Sequence, residues 1–251
     1  MRLAFVVPRY GAEVVGGAEM AARNLARRLA RRPGWQVEVF TTCALDYLSW
    51  QDHYPEGDEE LEGVAVHRFR SRAGRSPEFP AYSDHVLFYS SAATPEEAQR
   101  WVELQGPVCP ELVEAVGASD ADLVAFYPYQ YYPTVRAIGA VADRAVLHPA
   151  AHDDPPLYLP VFREVFSCAR ALVLHSSEER RLVQSVFPVA AKPQLVLGLG
   201  VDPPPASPPG RAGGEVLGLG ERPYLCCLGR VDDLKGTSAL AEMFAAYKRR
   251  R

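Results

Sequence analysis

Apolar runs of strand length alternate with amphipathic segments along the first two hundred residues, and this alternation constrains the fold more than any other feature. Leu3 to Pro8, Gln36 to Thr42, Val64 to Phe69, Leu123 to Tyr127, Ala145 to Leu147, Ala171 to His175 and Leu195 to Leu197 read as strands. Between them, Ala18 to Arg32, Thr94 to about Gln105, Pro110 to Val116, Tyr131 to Ala142, Leu157 to Ala169 and Ser177 to about Phe187 read as helices. Thr94 followed by Pro95 is a helix start, with threonine as N-cap and proline in the first turn. Cys43 to Gly63 reads as a long insertion, and Arg70 to Ser91 as an irregular excursion. Alternation of this kind predicts an α/β fold with a doubly wound, mostly parallel sheet. Ligands on such sheets bind outside the carboxyl ends of the strands, near the switch in strand order. The segments that matter most are therefore Arg9 to Gly17, Thr41 to Asp46, Tyr127 to Tyr132, His148 to Asp154 and His175 to Glu179.

The first strand, loop and helix have a geometry that presents backbone N–H groups and a helix N-terminus to an anion. In the helix, Ala18, Ala21, Ala22, Leu25, Ala26 and Leu29 share one side, and Arg23, Arg27, Arg28, Arg31 and Arg32 the other. Gly16 and Gly17 either permit a tight turn or let a ligand approach the backbone. The segment is not a dinucleotide fingerprint. GxGxxG is missing, and the second strand ends in Thr41 and Thr42 rather than an acidic residue for a ribose. A GxxxxGK[ST] phosphate loop is also missing.

Net charge is -4, which gives no electrostatic case for nucleic acid. The five cysteines include no CxxC spacing and read as reduced and mostly buried, so a cytoplasmic protein is expected. The N-terminal apolar run is too short for a signal peptide, and no stretch approaches the roughly 18 apolar residues of a membrane span.

Composition shifts at Pro203. Residues 1–202 form the expected first domain, 203–220 a proline- and glycine-rich linker, and 221–251 the first strand (Tyr224 to Leu228) and helix (Thr237 to Lys248) of a second, truncated domain. One strand and one helix cannot bury a core of their own.

Gly16-Gly17-Ala18-Glu19, followed by a helix rich in Ala, Arg and Leu, resembles the GGAE segment of retaining glycosyltransferases of the GT-B fold, family GT4. Gly229-Arg230-Val231-Asp232-Asp233-Leu234-Lys235-Gly236, after an apolar run, is similar to the segment that opens that family's donor domain. His152-Asp153 and Ser176-Ser177-Glu178-Glu179-Arg180 resemble further landmarks in the right order. The resemblance implies two Rossmann-like domains facing across a cleft, the first for the acceptor and the second for a nucleoside-diphosphate sugar. It implies transfer to an acceptor hydroxyl with retention, and neither cofactor nor metal. The family's Glu-x7-Glu pair would lie beyond Arg251, so the 251-residue chain by itself is expected to transfer no sugar.

On this resemblance Arg230 and Lys235 match the diphosphate pair, with Gly16 and Gly17 lining the same cleft. Two cations suit a leaving group whose charge grows as the glycosidic bond breaks. His152 matches a histidine that contacts the transferred sugar, with His148 as its rival, and Asp153 accompanies it. Tyr127, Tyr129, Tyr131 and Tyr132 form an aromatic cluster that reads equally as a tyrosine-rich core corner or as a sugar-stacking surface, and on the second reading Tyr129 and Tyr131 are the expected sugar-facing pair. Tyr47, Trp50 and Tyr54 would extend an acceptor subsite, and the arginine face of the first helix would give weak peripheral contact with anionic lipid beside a carbohydrate or lipid-linked acceptor. The competing reading is a non-catalytic carbohydrate- or nucleotide-binding module of the same fold.

Overall fold

The computed structural model describes residues 1–200, 203, 218–220, 222–229, 231 and 235–250. The chain divides into two units, Met1–Val201 and Asp202–Arg251.

The first unit is built on an eight-stranded sheet in the order β3-β4-β2-β1-β5-β6-β7-β8. Its strands are β1 (Arg2–Val6), β2 (Gln36–Thr42), β3 (Gly57–Leu61), β4 (Val64–Phe69), β5 (Leu123–Phe126), β6 (Ala145–Leu147), β7 (Ala171–Leu174) and β8 (Gln194–Val196). All pairings are parallel except β3 with β4. The helices are α1 (Gly17–Ala30), α2 (Phe79–Phe88), α3 (Pro95–Gln105), α4 (Pro110–Ala118), α5 (Tyr132–Ala137), α6 (Val161–Cys168) and α7 (Ser177–Val186). The α/β, doubly wound and mostly parallel sheet expected from the alternation is the one observed.

β1 shows why the sheet is covered on both faces. Leu3, Phe5 and Val7 join one buried cluster with Ala22 and Ala26 of α1, while Ala4 and Val6 join the larger cluster with α2 through α7. A strand buried on both sides reads as an unbroken apolar run because alternate side chains enter opposite layers. On the first face, among the described residues, only α1 contributes helical side chains to the cluster. β1 also marks the switch in order: from it the chain proceeds to β2 on one side and returns to β5 on the other, Phe5 lying opposite both Val39 and Ala125.

Three elements depart from the sequence expectation. Within the expected insertion, Gly57–Leu61 forms an antiparallel edge strand joined to β4 by Glu62-Gly63, with φ of 54° and 82°. A two-residue turn with both central φ positive suits the twist of a hairpin. The excursion after Arg70 contains α2, whose Phe79 and Val86 are buried against the core. Finally, residues 224–228, expected as a strand, have no strand partner among the described residues and are exposed. An isolated run has no ladder to complete, so apolar character alone does not make it a strand. In the second unit the described secondary structure is α8 (Thr237–Arg249), with Leu240, Met243, Phe244 and Tyr247 all exposed. Apart from Pro203 and 218–220, the expected linker lies outside the described residues.

On the α1 basic face, Arg23 and Arg27 reach Glu62 at 2.8 and 3.7 Å. No described helix is long and apolar enough to cross a membrane.

His67 of β4 is held between Glu38 at 3.2 Å and Asp58 at 2.7 Å. The hydrogen bond to Glu38, aided by Asp58, raises its pKa to about 9 against the opposing effect of burial. The folded value exceeds the unfolded one of about 6.5, so the contact contributes fully below that pH and is lost as pH rises through about 9. We expect His67→Gln to cost about 1–2 kcal/mol at pH 6, allowing for solvent screening, and much less at about pH 9.5. Urea unfolding at the two pH values measures this; an equal cost at both would exclude the charged contact.

Candidate functional site

The loop after β1 crosses the switch point and returns into α1. Its start is pinned by Thr42, whose hydroxyl donates to the Pro8 carbonyl at 2.6 Å. Arg9 then turns inward, donates to the Leu45 carbonyl at 3.0 Å and forms an ion pair with Glu19 of α1. Both side chains are almost wholly buried, Arg9 at 6% and Glu19 at 10% exposure. Gly16 lies against this pair: a Cβ there would meet Glu19 Oε2 at 2.1 Å and Arg9 Nη2 at 3.1 Å. At Gly17 a Cβ would meet nothing within 4 Å. The two expectations for the glycines therefore divide. Gly16 is needed for internal packing, while Gly17 leaves the start of α1 open.

The expected aromatic cluster also divides. Tyr129 is 2% exposed and packs edge-on against Phe162 at 4.7 Å, with Phe166 beyond. This corrects its expected sugar-facing position, because the ring has no free face to stack on a ligand. Tyr131 is half-buried and meets Trp50 edge-on at 5.2 Å. Burial raises its phenol pKa. Trp50 is itself buried and donates to the Gln105 carbonyl at 2.8 Å, and Tyr54 lies under Arg68 at 4.1 Å, so neither forms the open subsite expected of the insertion. Tyr47 stays half-exposed, its ring 5.3 Å from the Arg9 guanidinium and 5.9 Å from that of Arg75. Burial lowers the pKa of Arg75, which stacks over Phe79 at 4.8 Å.

Beyond β6 the two candidate histidines separate. His148 is 4% exposed and stacks on Tyr127 at 4.0 Å; burial, with His175 nearby, pushes its pKa down to about 3. It is neutral at physiological pH. His152 and Asp153 are exposed and share a cavity of about 430 Å³ with His175, Ser176, Glu178 and Glu179. The Asp153 carboxylate accepts from Tyr158 at 2.6 Å. Glu179 builds the cavity floor: its carboxylate accepts from the Ala151 N–H at 2.8 Å and the His175 N–H at 2.6 Å, tying the loops after β6 and β7 together. The sequence marked this segment as the start of a helix but gave no reason to turn Glu179 inward.

Arg230 lies outside the described residues. Lys235 belongs to the second unit, where it is exposed and precedes Gly236, the N-cap of α8. Among the described residues, no three His, Cys, Asp or Glu side chains converge as a metal site requires.

No protein-family model matches the chain, and no curated protein matches it. Among solved structures it is similar to one from E. coli titled trehalose-6-phosphate bound with UDP-2-fluoro glucose. That likeness has 14% identity over 72% of this chain and 41% of the other, with a TM-score of 0.38. It is also similar to α,α-trehalose 6-phosphate synthase from Burkholderia multivorans, with 10% identity over 75% of this chain and 42% of the other, at a TM-score of 0.40. The chain thus covers less than half of each of these two.

The glycines give the sharpest mutational test of the loop. Gly16→Ala must displace the buried Glu19 carboxylate from Arg9, and is expected to cost about 2 kcal/mol or more, as Glu19→Gln should. Gly17→Ala adds a helix-favouring residue in open space and should be neutral or slightly stabilising. Denaturant midpoints of the three variants decide the matter; equal losses at both glycines would refute the division.

Proposed function

We propose that the chain carries the acceptor-side domain, and the first donor contacts, of a nucleotide-sugar-dependent glycosyltransferase of the GT-B type. The observation that carries this reading is the edge of the first unit. There the open α1 N-terminus at Gly17 and the polar cavity at His152 and Asp153 both follow carboxyl ends of parallel strands. Such an edge suits a small polar ligand held by backbone N–H groups and a few convergent side chains. The GGAE and GRxxxxKG segments supply the choice of chemistry, and retention with a GT4-like mechanism belongs to the same reading.

On this reading His152 contacts the transferred sugar, and Asp153 and Tyr131 the acceptor side. Arg230 and Lys235 meet the diphosphate. As the bond from the anomeric carbon to the diphosphate breaks, negative charge collects on the leaving oxygen, and fixed cations stabilise that charge more than the charge of the ground state. The α1 N-terminus adds a partial positive charge. The donor is a nucleoside-diphosphate sugar and the acceptor a carbohydrate or lipid-linked hydroxyl. No metal is needed when side-chain cations take that role.

The reading is tested by following release of nucleoside diphosphate in the presence of acceptor. The 251-residue chain should turn over no donor, whereas the chain continued into a donor domain should. In the continued enzyme, His152→Ala, Arg230→Ala and Lys235→Ala should each lower kcat/KM by about tenfold or more. Equal turnover by the 251-residue chain, or full activity in all three variants, would overturn the proposal.

A further inference from the structure

The edge that carries the loop into α1 also carries a second arginine. Asp46 and Tyr47 follow β2, Arg75 follows β4 and Tyr131 follows β5, so all of them lie beyond the carboxyl ends of parallel strands. The Arg75 backbone is fixed in place. Its N–H donates to the Ser49 carbonyl at 3.3 Å, and a Cβ at the preceding Gly74 would strike that same carbonyl oxygen. The guanidinium lies over the Phe79 ring at 4.8 Å and the Tyr47 ring at 5.9 Å. Phe79 is itself buried and meets Trp101 at 5.4 Å between ring centres, so this platform belongs to the core.

Two guanidinium groups thus share the Tyr47 ring, and they are not equally provided for. Arg9 has Glu19 and the Leu45 carbonyl. Arg75 is half-buried, its Nε is buried without a partner, and among the described residues no carboxylate pairs with it. The carboxylate whose charge it feels is Asp46, but both Asp46 oxygens are taken up by a turn. They accept from the Leu48 and Ser49 N–H groups at 2.7 and 2.8 Å and from the Ser49 hydroxyl at 2.8 Å. Asp46 therefore shapes the backbone that receives Arg75 rather than pairing with its head. Burial lowers the Arg75 pKa, yet an arginine in a protein stays protonated. What remains is a fixed positive charge that has lost part of its water and gained no anion in contact. Such a charge is costly to hold unless an anion arrives from outside.

We propose that Arg75 is the oxyanion-reading residue of the acceptor side, so that the acceptor carries a phosphate monoester or a carboxylate besides its hydroxyl. Stacking on Phe79 and Tyr47 occupies the face of the guanidinium and leaves its in-plane N–H groups for a two-pronged contact with such an anion. Tyr131, assigned to the acceptor side in the proposed function, lies within the field of the same guanidinium, which brings Arg75 to that subsite. Arg9 is already neutralised by Glu19, so one oxyanion meets the one cation left over. The ligand's role as acceptor rests on the proposed glycosyl transfer; the oxyanion contact does not.

The test measures binding without donor, so it succeeds or fails apart from transfer. The 251-residue chain is titrated with glucose 6-phosphate, glucuronate and glucose, followed by calorimetry and by the NMR signal of the Arg75 Nε–H. We expect at least one charged sugar to bind about tenfold tighter or more than glucose, and to move the Arg75 signal to saturation by about 10 mM. Which of the two binds more tightly identifies the oxyanion. Arg75→Gln should abolish the preference over glucose. Arg75→Lys, which keeps the charge but not the fork, should keep part of it, and circular dichroism checks the fold of both variants. The wild-type signal and the lysine variant decide the matter if the glutamine variant unfolds. No preference over glucose, an Arg75 signal that stays still at saturation, or a preference that survives Arg75→Gln would overturn the proposal. A continued enzyme that transfers to glucose as readily as to the charged sugar would also overturn it, with glycosyl transfer itself left standing.

Discussion

The site edge of this protein depends on buried carboxylates that hold loops to helices, the Arg9–Glu19 pair first among them. Two charges taken out of water recover their desolvation cost only if the geometry is good and the remaining donors are met. Here the Leu45 carbonyl takes a further N–H of the guanidinium while Arg9 Nε stays buried without a partner among the described residues, and the absence of a side chain at Gly16 lets the carboxylate close in. The pair lies at the switch in strand order, so it fixes where the open start of α1 points. Displacing it would leave two buried charges to resolve and would free the loop that frames the site.

The same helical position recurs with different partners. Glu19, Glu97 and Glu179 each occupy the third residue of a helix, α1, α3 and α7. Glu97 makes a reciprocal capping box with Thr94. Glu179 receives its own N–H bond from Ser176 but sends its carboxylate past the cap to the His175 and Ala151 amides. Glu19 has no side chain at its cap, Gly16, and turns to an arginine instead. A glutamate at this position favours the helix start through the macrodipole in all three cases. What it does beyond that depends on whether a neighbouring loop offers an amide or a cation.

These distinctions show what the sequence could and could not carry. The [ST]xxE pattern at Thr94 and at Ser176 announces both helix starts, and the unbroken apolar runs announce the parallel strands. β3 was hidden because GDEEL is exposed at four of its five positions: an edge strand held by a hairpin turn needs no apolar alternation. The candidate residues were harder. Tyr129 and Tyr131 are two apart in a loop, and only the exit path of the chain from β5 sends one into the Phe162 layer and the other toward Trp50. His148 and His152 differ in the same way. The first is one residue past β6, still within the sheet's layers, and burial strips its charge; the second lies beyond a turn at Ala150, whose φ is 51°, and stays in solvent. Composition and spacing are alike for both histidines, and burial decides between them.

The second unit inverts this lesson. Leu240, Met243, Phe244 and Tyr247 recur at helical spacing, and α8 forms as that pattern predicts. Yet these four side chains are exposed, and the apolar run at 224–228 has no strand partner among the described residues. Helix formation requires only bonds within one segment, so the pattern is enough to yield α8. A strand requires a second chain segment for each of its ladder bonds, so the same amount of apolar character yields nothing by itself. The two runs thus carry equal evidence of burial in the sequence, and only the one whose hydrogen bonds close internally takes its shape before any burial occurs.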